Sequence, residues 1–360
     1  MKKLIAIQWL RGVAVLLVTW MHAIYLVSDR GLPSIQVNWG HLYEWGAVGV
    51  DIFFVISGFV VTLTAIRARS PGAFYLDRLR RIWPLYLLAT LACIAVKPSL
   101  LSQPGYLIIS LFFLVPMNVA SPMPVLGPGW TLTFELAFYS LICTAMFWRS
   151  LDRSLPERIL IIVICMVMVG AVFDFSAPLN VFGNPLLIEF AFGVAIGWVW
   201  LRYRVFPIWL TAGMFVCGAV LLLYTALFGF GSWFYAERAI RGPLSWNRVQ
   251  VWGIPAALLV AGAALRQQPV VSKMKWLTLL GDASFSIYLT HALTLGILDQ
   301  NDWWMDGLAA DGTIILATLI AMGVGVATYF FIEKPLMEFL KRRTSSRSGH
   351  PANRPFGGET

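Results

Sequence analysis

A chain of 360 residues with 59% hydrophobic, 14% aromatic and only 12% charged side chains is far too apolar for a soluble domain, whose charged fraction is about 25%. Ten or so spans of ~20 residues with short loops would use up this length, which excludes a sizeable soluble catalytic head. The net charge of +9 sits in short stretches between apolar runs, where orientation signals are expected, and this argues for the lipid bilayer rather than nucleic acid as the partner.

In chain order, apolar windows predict membrane-spanning helices at 4–27, 45–66, 82–97, 130–148, 159–175, 182–200, 207–228, 249–265, 277–298 and 313–333. The opening "MKKLIAIQWL" resembles the start of a secretory signal, but the apolar run that follows is too long and lacks a small-residue cleavage site, so it reads as the first span. The run 106–116, "YLIISLFFLVP", is too short to cross ~30 Å of hydrocarbon as a helix and is expected to be a re-entrant or interfacial segment. Loop charges agree. With ten spans, Arg30, Lys97, Arg238, Arg241 and Arg248 fall outside and Arg11 lies in the first span. The rest of the 27 Lys and Arg then fall inside, which places both termini in the cytoplasm. Counting 106–116 as a crossing would put most of them outside. Cys93, Cys143, Cys165 and Cys217 lie in apolar runs without metal-ligand spacing and are expected to be small buried hydrophobes. The expected fold is an all-α membrane protein, a polytopic bundle of about ten transmembrane helices plus one short re-entrant or interfacial segment. Residues 1–340 would form the membrane domain, and 341–360, basic and polar, a disordered cytoplasmic tail.

Against this apolar background the ionisable residues stand out. The first span, "QWLRGVAVLLVTWMHAIYL", carries Arg11 and His22. Eleven residues at ~100° each bring them to within ~20° of three full turns, so they share one helix face ~16 Å apart. A charge at bilayer depth costs ~2.5–3.5 kcal/mol even on lenient insertion scales, which makes each such residue a functional candidate. Counted from the span ends, His22, Asp51, Glu135, Glu189 and His291 all fall ~8–10 Å below the outer boundary at 1.5 Å per residue, with Arg11 deeper. Each also has a bland reading. The histidines could pack helices through a backbone carbonyl, Asp51 could cap or pack, and Glu189 could neutralise an arginine. Glu135 has no basic neighbour in sequence, so its partner must come from another helix. On the inner side "FYLDRLRRIWPLY" puts Arg78 and Arg81 on one helical face, a spacing that suits phosphate recognition and equally a lipid-headgroup anchor. Together these residues suit a cytoplasmic phosphate-bearing donor whose reactive end reaches an external acceptor.

Several motifs in this order resemble the acyltransferase-3 family of integral membrane acyltransferases, over about residues 4–340. They are Arg11 and His22 with ten residues between, "GVDIFFVISGF" from Gly49 to Phe59, "RLRRIWPLY" with Arg78 and Arg81, and "WTLTFE" ending at Glu135. "SFSIYLTH" from Ser284 to His291 and "IEKP" from Ile332 to Pro335 complete the set. Phe285 stands where a Tyr is frequent, while Tyr288 is retained. The resemblance is to the stand-alone type, without a fused extracytoplasmic hydrolase-like domain. It implies an enzyme transferring groups other than aminoacyl groups: O-acylation, usually O-acetylation, of a cell-surface, exopolysaccharide or lipid-linked carbohydrate. The donor it implies is cytoplasmic acyl-coenzyme A, by family habit acetyl-coenzyme A, with no metal. The implied setting is the bacterial cytoplasmic (inner) membrane, with polysaccharide-assembly proteins as further partners.

On this reading Arg78 and Arg81 hold the coenzyme phosphates, Arg11 keeps the path electropositive, and His22 takes the proton of a sugar hydroxyl. Glu135 or Asp51 would orient that imidazole. His291 with Tyr288 would hold the acceptor or the thioester oxygen, with Ser284 and Glu189 as further substrate contacts. The rival expectation is a polytopic transporter or exporter of an acylated product.

Overall fold

The computed structural model describes residues 4–39, 41–112, 123–148, 153–173, 179–203, 206–229, 239–240, 245–266, 274–301 and 303–347. Its frame is a bundle of helices: α1 (Ile5–Ser28), α2 (Val48–Ala65), α3 (Pro71–Val96), α4 (Trp130–Phe147), α5 (Leu155–Val172), α6 (Leu187–Arg202), α7 (Ile208–Phe228), α8 (Ile254–Leu265), α9 (Lys275–Asp299) and α10 (Ala310–Thr328). No strand occurs among the described residues. Eight helices there are long and apolar enough to cross a membrane. α6, with 16 residues, and α9, which carries Lys275, Asp282 and Asp299, are not among these eight but pack inside the same bundle. α3 begins eleven residues before its apolar window. Ser70 caps it by accepting from the Ala73 N–H, and Pro71 occupies the first turn, where its missing N–H costs nothing.

Small residues set the closest contacts. α1 and α9 run parallel, tied by Trp9 Nε1 to Thr278 Oγ1 at 3.0 Å near one end and by Arg30 to Asp299 at 3.0 Å at the other. Their backbones meet at Gly281, where a Cβ would lie 2.0 Å from the Gln8 carbonyl oxygen. α2 and α6 meet the same way at Gly58 and Gly193, and a Cβ on Gly193 would stand 2.1 Å from the Val55 carbonyl oxygen. Gly193→Ala must therefore push the two helices apart. It is expected to cost about 1–3 kcal/mol, read as a lowered unfolding temperature in detergent. Gly213→Ala in α7, with nothing within 4 Å, is expected to leave that temperature unchanged or raise it.

Residues 98–112 and 123–129 explain the short apolar run. After a turn at Pro98–Ser102, the helix Pro104–Leu111 folds back along α3, where the Tyr86 hydroxyl donates to the Ser110 carbonyl at 2.7 Å. Tyr86 lies ten residues before Val96, so the segment descends ~15 Å beside α3. Residues 113–116 of the run lie outside the described residues. The chain returns at the same level, Val125 N–H donating to Ser110 Oγ at 3.1 Å, and Gly129 packs on the Tyr86 ring. α4 therefore starts midway along α3 rather than at its end, and Glu135 sits more than a turn deeper than its span boundary suggested.

Two further expectations are corrected. The cysteines are not core residues: Cys93 and Cys143 are half-buried, and Cys165 and Cys217 are exposed because α5 and α7 turn much of their apolar surface outward. The tail does not lose structure at Lys341. After a π turn at Tyr329–Glu333, helix continues from Lys334 to Arg347. Residues 348–360 lie outside the described residues.

Candidate active site

The helices enclose a cavity of about 840 Å³. Its mouth lies where the exposed Glu338 and Lys341 meet Leu4 and Thr64, so both described ends of the chain are on that side. Its floor is made by the buried Val50, Phe54, Thr131 and Tyr288, with the half-buried Phe53. From Thr64 to Val50 along α2 the depth is ~21 Å at 1.5 Å per residue.

Arg11, Arg78, Arg81, Glu135, Ser284 and Tyr288 all line this one cavity, six of the residues singled out in sequence. The Arg11 Nε–H donates to Ser284 Oγ at 3.1 Å, and that hydroxyl donates to the Gly281 carbonyl at 2.9 Å. Glu135 is held by donors from two helices, Ser57 Oγ at 2.9 Å and the Tyr139 hydroxyl. Arg78 carries a buried Nε–H with no hydrogen-bond partner among the described residues, a donor left free for an anion in the cavity. Glu333, from the π turn, lines the wall and accepts from Ser286 Oγ.

The two histidines do not line the cavity. Their rings meet edge-on at 68°, centroids 4.8 Å apart, beyond the Tyr288 ring, which is 5.7 Å from His291. On α1 the interval between Arg11 and His22 holds the buried Val15, Val18 and Thr19, 0%, 2% and 0% exposed, and the expected polar path ends at the cavity, which Arg11 lines and His22 does not. The imidazoles share one arrangement. His22 Nδ1 lies 2.8 Å from the Val18 carbonyl and His291 Nδ1 lies 3.2 Å from that of Ile287, each four residues back on its own helix. A carbonyl oxygen only accepts, so both Nδ1 atoms carry hydrogen and both Nε2 lone pairs are free to take a proton. His291 Nε2 is buried without a partner among the described residues, whereas His22 is half-buried.

Asp51 and Glu189 form a third place, which corrects the idea of one acid and imidazole cluster at a single depth. Arg248 Nε and Nη2 donate to the two Asp51 carboxylate oxygens at 2.9 and 2.8 Å, and Nη2 also reaches the Ala47 carbonyl at 3.3 Å. Both side chains are essentially unexposed, at 1% and 0%. The Arg248 guanidinium also stacks over Trp252, 5.1 Å from its ring centroid. Asp51 is thus engaged by an arginine and does not orient an imidazole. Glu189, 0% exposed, packs against Gly253, and its carboxyl oxygens have no hydrogen-bond partner among the described residues. Arg248, expected in an outer loop, is buried just before a π turn at Val249–Gly253, a helix distortion that recurs at functional sites. Sequence reasoning missed it, although a buried Asp51 demands a cation and Arg248 was one of three arginines close together on the right side. Ser57 and Tyr139, the donors to Glu135, were also missed; Ser57 lies inside the quoted second-helix motif.

Residues 4–333 match a family profile described as an acyltransferase domain. The chain belongs to the acyltransferase-3 family. It is 32% identical to the exopolysaccharide production protein ExoZ of Rhizobium meliloti (strain 1021), over 87% of this chain and 97% of that protein. It is 27% identical to the acyltransferase MdmB of Streptomyces mycarofaciens over 94% and 92% of the two chains. With the peptidoglycan O-acetyltransferase OatA of Listeria monocytogenes it shares 26% identity, over 85% of this chain and 54% of that protein. No solved structure matches. The chain is a multi-pass membrane acyltransferase, and the cavity with its neighbouring histidine pair is its candidate active site.

Proposed function

We propose that this acyltransferase moves an acyl group, acetyl in the first instance, from cytoplasmic acyl-coenzyme A to a hydroxyl of a cell-surface, exopolysaccharide or lipid-linked carbohydrate. In this reading the protein lies in the bacterial cytoplasmic membrane with both chain ends inside. The names of the exopolysaccharide and peptidoglycan relatives support the acceptor class. The observation that carries the reading is a single cavity joining a basic mouth-side wall, Arg78 and Arg81, to the ring of Tyr288 at its floor. Phosphates would bind the guanidinium forks, the pantetheine arm would extend down the cavity past Arg11, and the thioester would arrive beside Tyr288.

The acceptor then approaches from the far side, where His22 is half-buried. His22 Nε2 takes the hydroxyl proton as the oxygen attacks the thioester carbon, the carbon–sulfur bond breaks, and the proton passes to the leaving thiolate. The reaction releases one ester and one coenzyme thiol, so no other co-reactant is needed. Tyr288 is set between the cavity and His291, so the two substrates would meet beside its ring. Its hydroxyl, 3.0 Å from Thr131 Oγ1, would supply a donor to a developing oxyanion at the floor.

Membranes containing the protein should transfer label from acyl-coenzyme A covalently to carbohydrate; uptake of label without an ester would favour a transporter. Arg78→Ala and Arg81→Ala should each raise KM for acyl-coenzyme A about ten- to a hundredfold, with KM for the acceptor nearly unchanged. Equal changes in both constants would assign the arginines to lipid headgroups instead.

A further inference from the structure

We propose that Phe53, with Val50 and the ring of Tyr288, forms the seat of the acyl group and restricts the donor to short, uncharged acyl chains. The inference rests on the proposed donor and names the part of it that the floor selects. The cavity is graded: Arg78, Arg81, Lys334 and Lys341 lie toward its mouth side, Arg11 and Glu135 line its middle, and its floor is built from Val50, Phe53, Phe54 and Tyr288 with the uncharged Thr131. In any acyl thioester bound by its phosphates at the cationic side, the group that reaches the floor is the acyl chain. A carboxylate on that chain would be buried there against Val50, Phe53 and Phe54 with hydroxyls but no cation beside it, which disfavours dicarboxylic acyl groups.

Phe53 is singled out by how its neighbours are fixed. Tyr288 is held through its hydroxyl, with Thr131 Oγ1 at 3.0 Å and the Pro128 carbonyl at 3.3 Å. Phe54 is buried and stacked on Phe190 at 4.7 Å, with Trp130 edge-on at 6.1 Å. Phe53 touches the Tyr288 ring at 5.9 Å, is half-buried while lining the cavity, and has no polar atom to lose. Shortening it lengthens the cavity without breaking a hydrogen bond.

The test compares acetyl-, butanoyl-, hexanoyl- and succinyl-coenzyme A as donors for the wild-type protein, Phe53→Ala and Phe53→Leu in the same membranes. The wild type should favour acetyl over hexanoyl by about tenfold or more in kcat/KM, since one methylene in a closed apolar pocket is worth 10–200-fold. Phe53→Ala should shift the acetyl-to-hexanoyl ratio at least about tenfold toward the long chain, Phe53→Leu by less, and succinyl should stay rejected by all three. If Phe53→Ala does not fold, the direction of the Phe53→Leu shift decides. An unchanged ratio in active variants overturns the acyl seat alone. Absence of transfer from every acyl-coenzyme A by the wild type overturns the donor assignment and the seat with it.

Discussion

His22→Ala is expected to lower kcat by about 10²–10⁴-fold at saturating donor and acceptor, the usual worth of a positioned general base. A sugar hydroxyl is a weak nucleophile at neutral pH, and the structure supplies a half-buried imidazole whose Nδ1 hydrogen is committed to the Val18 carbonyl and whose Nε2 is free. Because His22 lies outside the donor cavity, KM for acyl-coenzyme A should change little, so the loss should fall in kcat. Near wild-type turnover in the alanine variant would remove His22 from the chemistry and leave His291 as the remaining base. His291→Ala should also reduce turnover. The two losses should be less than additive, because the adjoining rings would serve one proton transfer.

The second large effect is on stability. Arg248→Ala leaves the Asp51 carboxylate buried without its partner and is expected to destabilise the bundle by ~3–5 kcal/mol. Asp51→Ala, which strands the guanidinium, should also destabilise, by somewhat less. Removing both, as in Asp51→Ala with Arg248→Ala, should cost much less than the sum of the singles, since neither charge is then left buried alone. A double-mutant cycle on thermal unfolding in detergent measures this directly. Additive single effects would show that the 2.8 Å contact is not the stabilising interaction. Glu189 gives the cycle a second reading, because removing Arg248 alone leaves two neighbouring buried carboxyls and should make that variant the worse of the two.

The bundle was legible because helical spans announce themselves by length and apolarity, and helices occur at all ten expected windows. Arg11, Arg78, Arg81 and Glu135 converge on one cavity, and His22 and His291 do meet, as their helical spacing allowed. Depth was not legible. Glu135 is displaced by the fold-back of residues 98–112 along α3 and the return at 123–129, a long-range packing event that no local periodicity encodes. Nor was the pairing of Asp51 with Arg248 visible, since a single sequence does not say which of several arginines returns to a given acid. The valines at 15 and 18 looked like ordinary lipid-span residues, yet both are buried on the stretch of α1 between Arg11, which lines the cavity, and His22, which does not.

The Asp51–Arg248 contact joins positions 197 residues apart. During synthesis the second helix leaves the translocation machinery with its aspartate lacking a counter-charge, and the matching cation emerges only after five more helices have been made. In the interval the acid carries an insertion penalty, at most the ~2.5–3.5 kcal/mol of mid-bilayer, so early helices must be retained beside the insertion site until the later half arrives. Assembly of this protein is therefore expected to be post-insertional and to need nearly the whole chain, and truncations ending before Arg248 should be marked for degradation rather than accumulate as stable fragments.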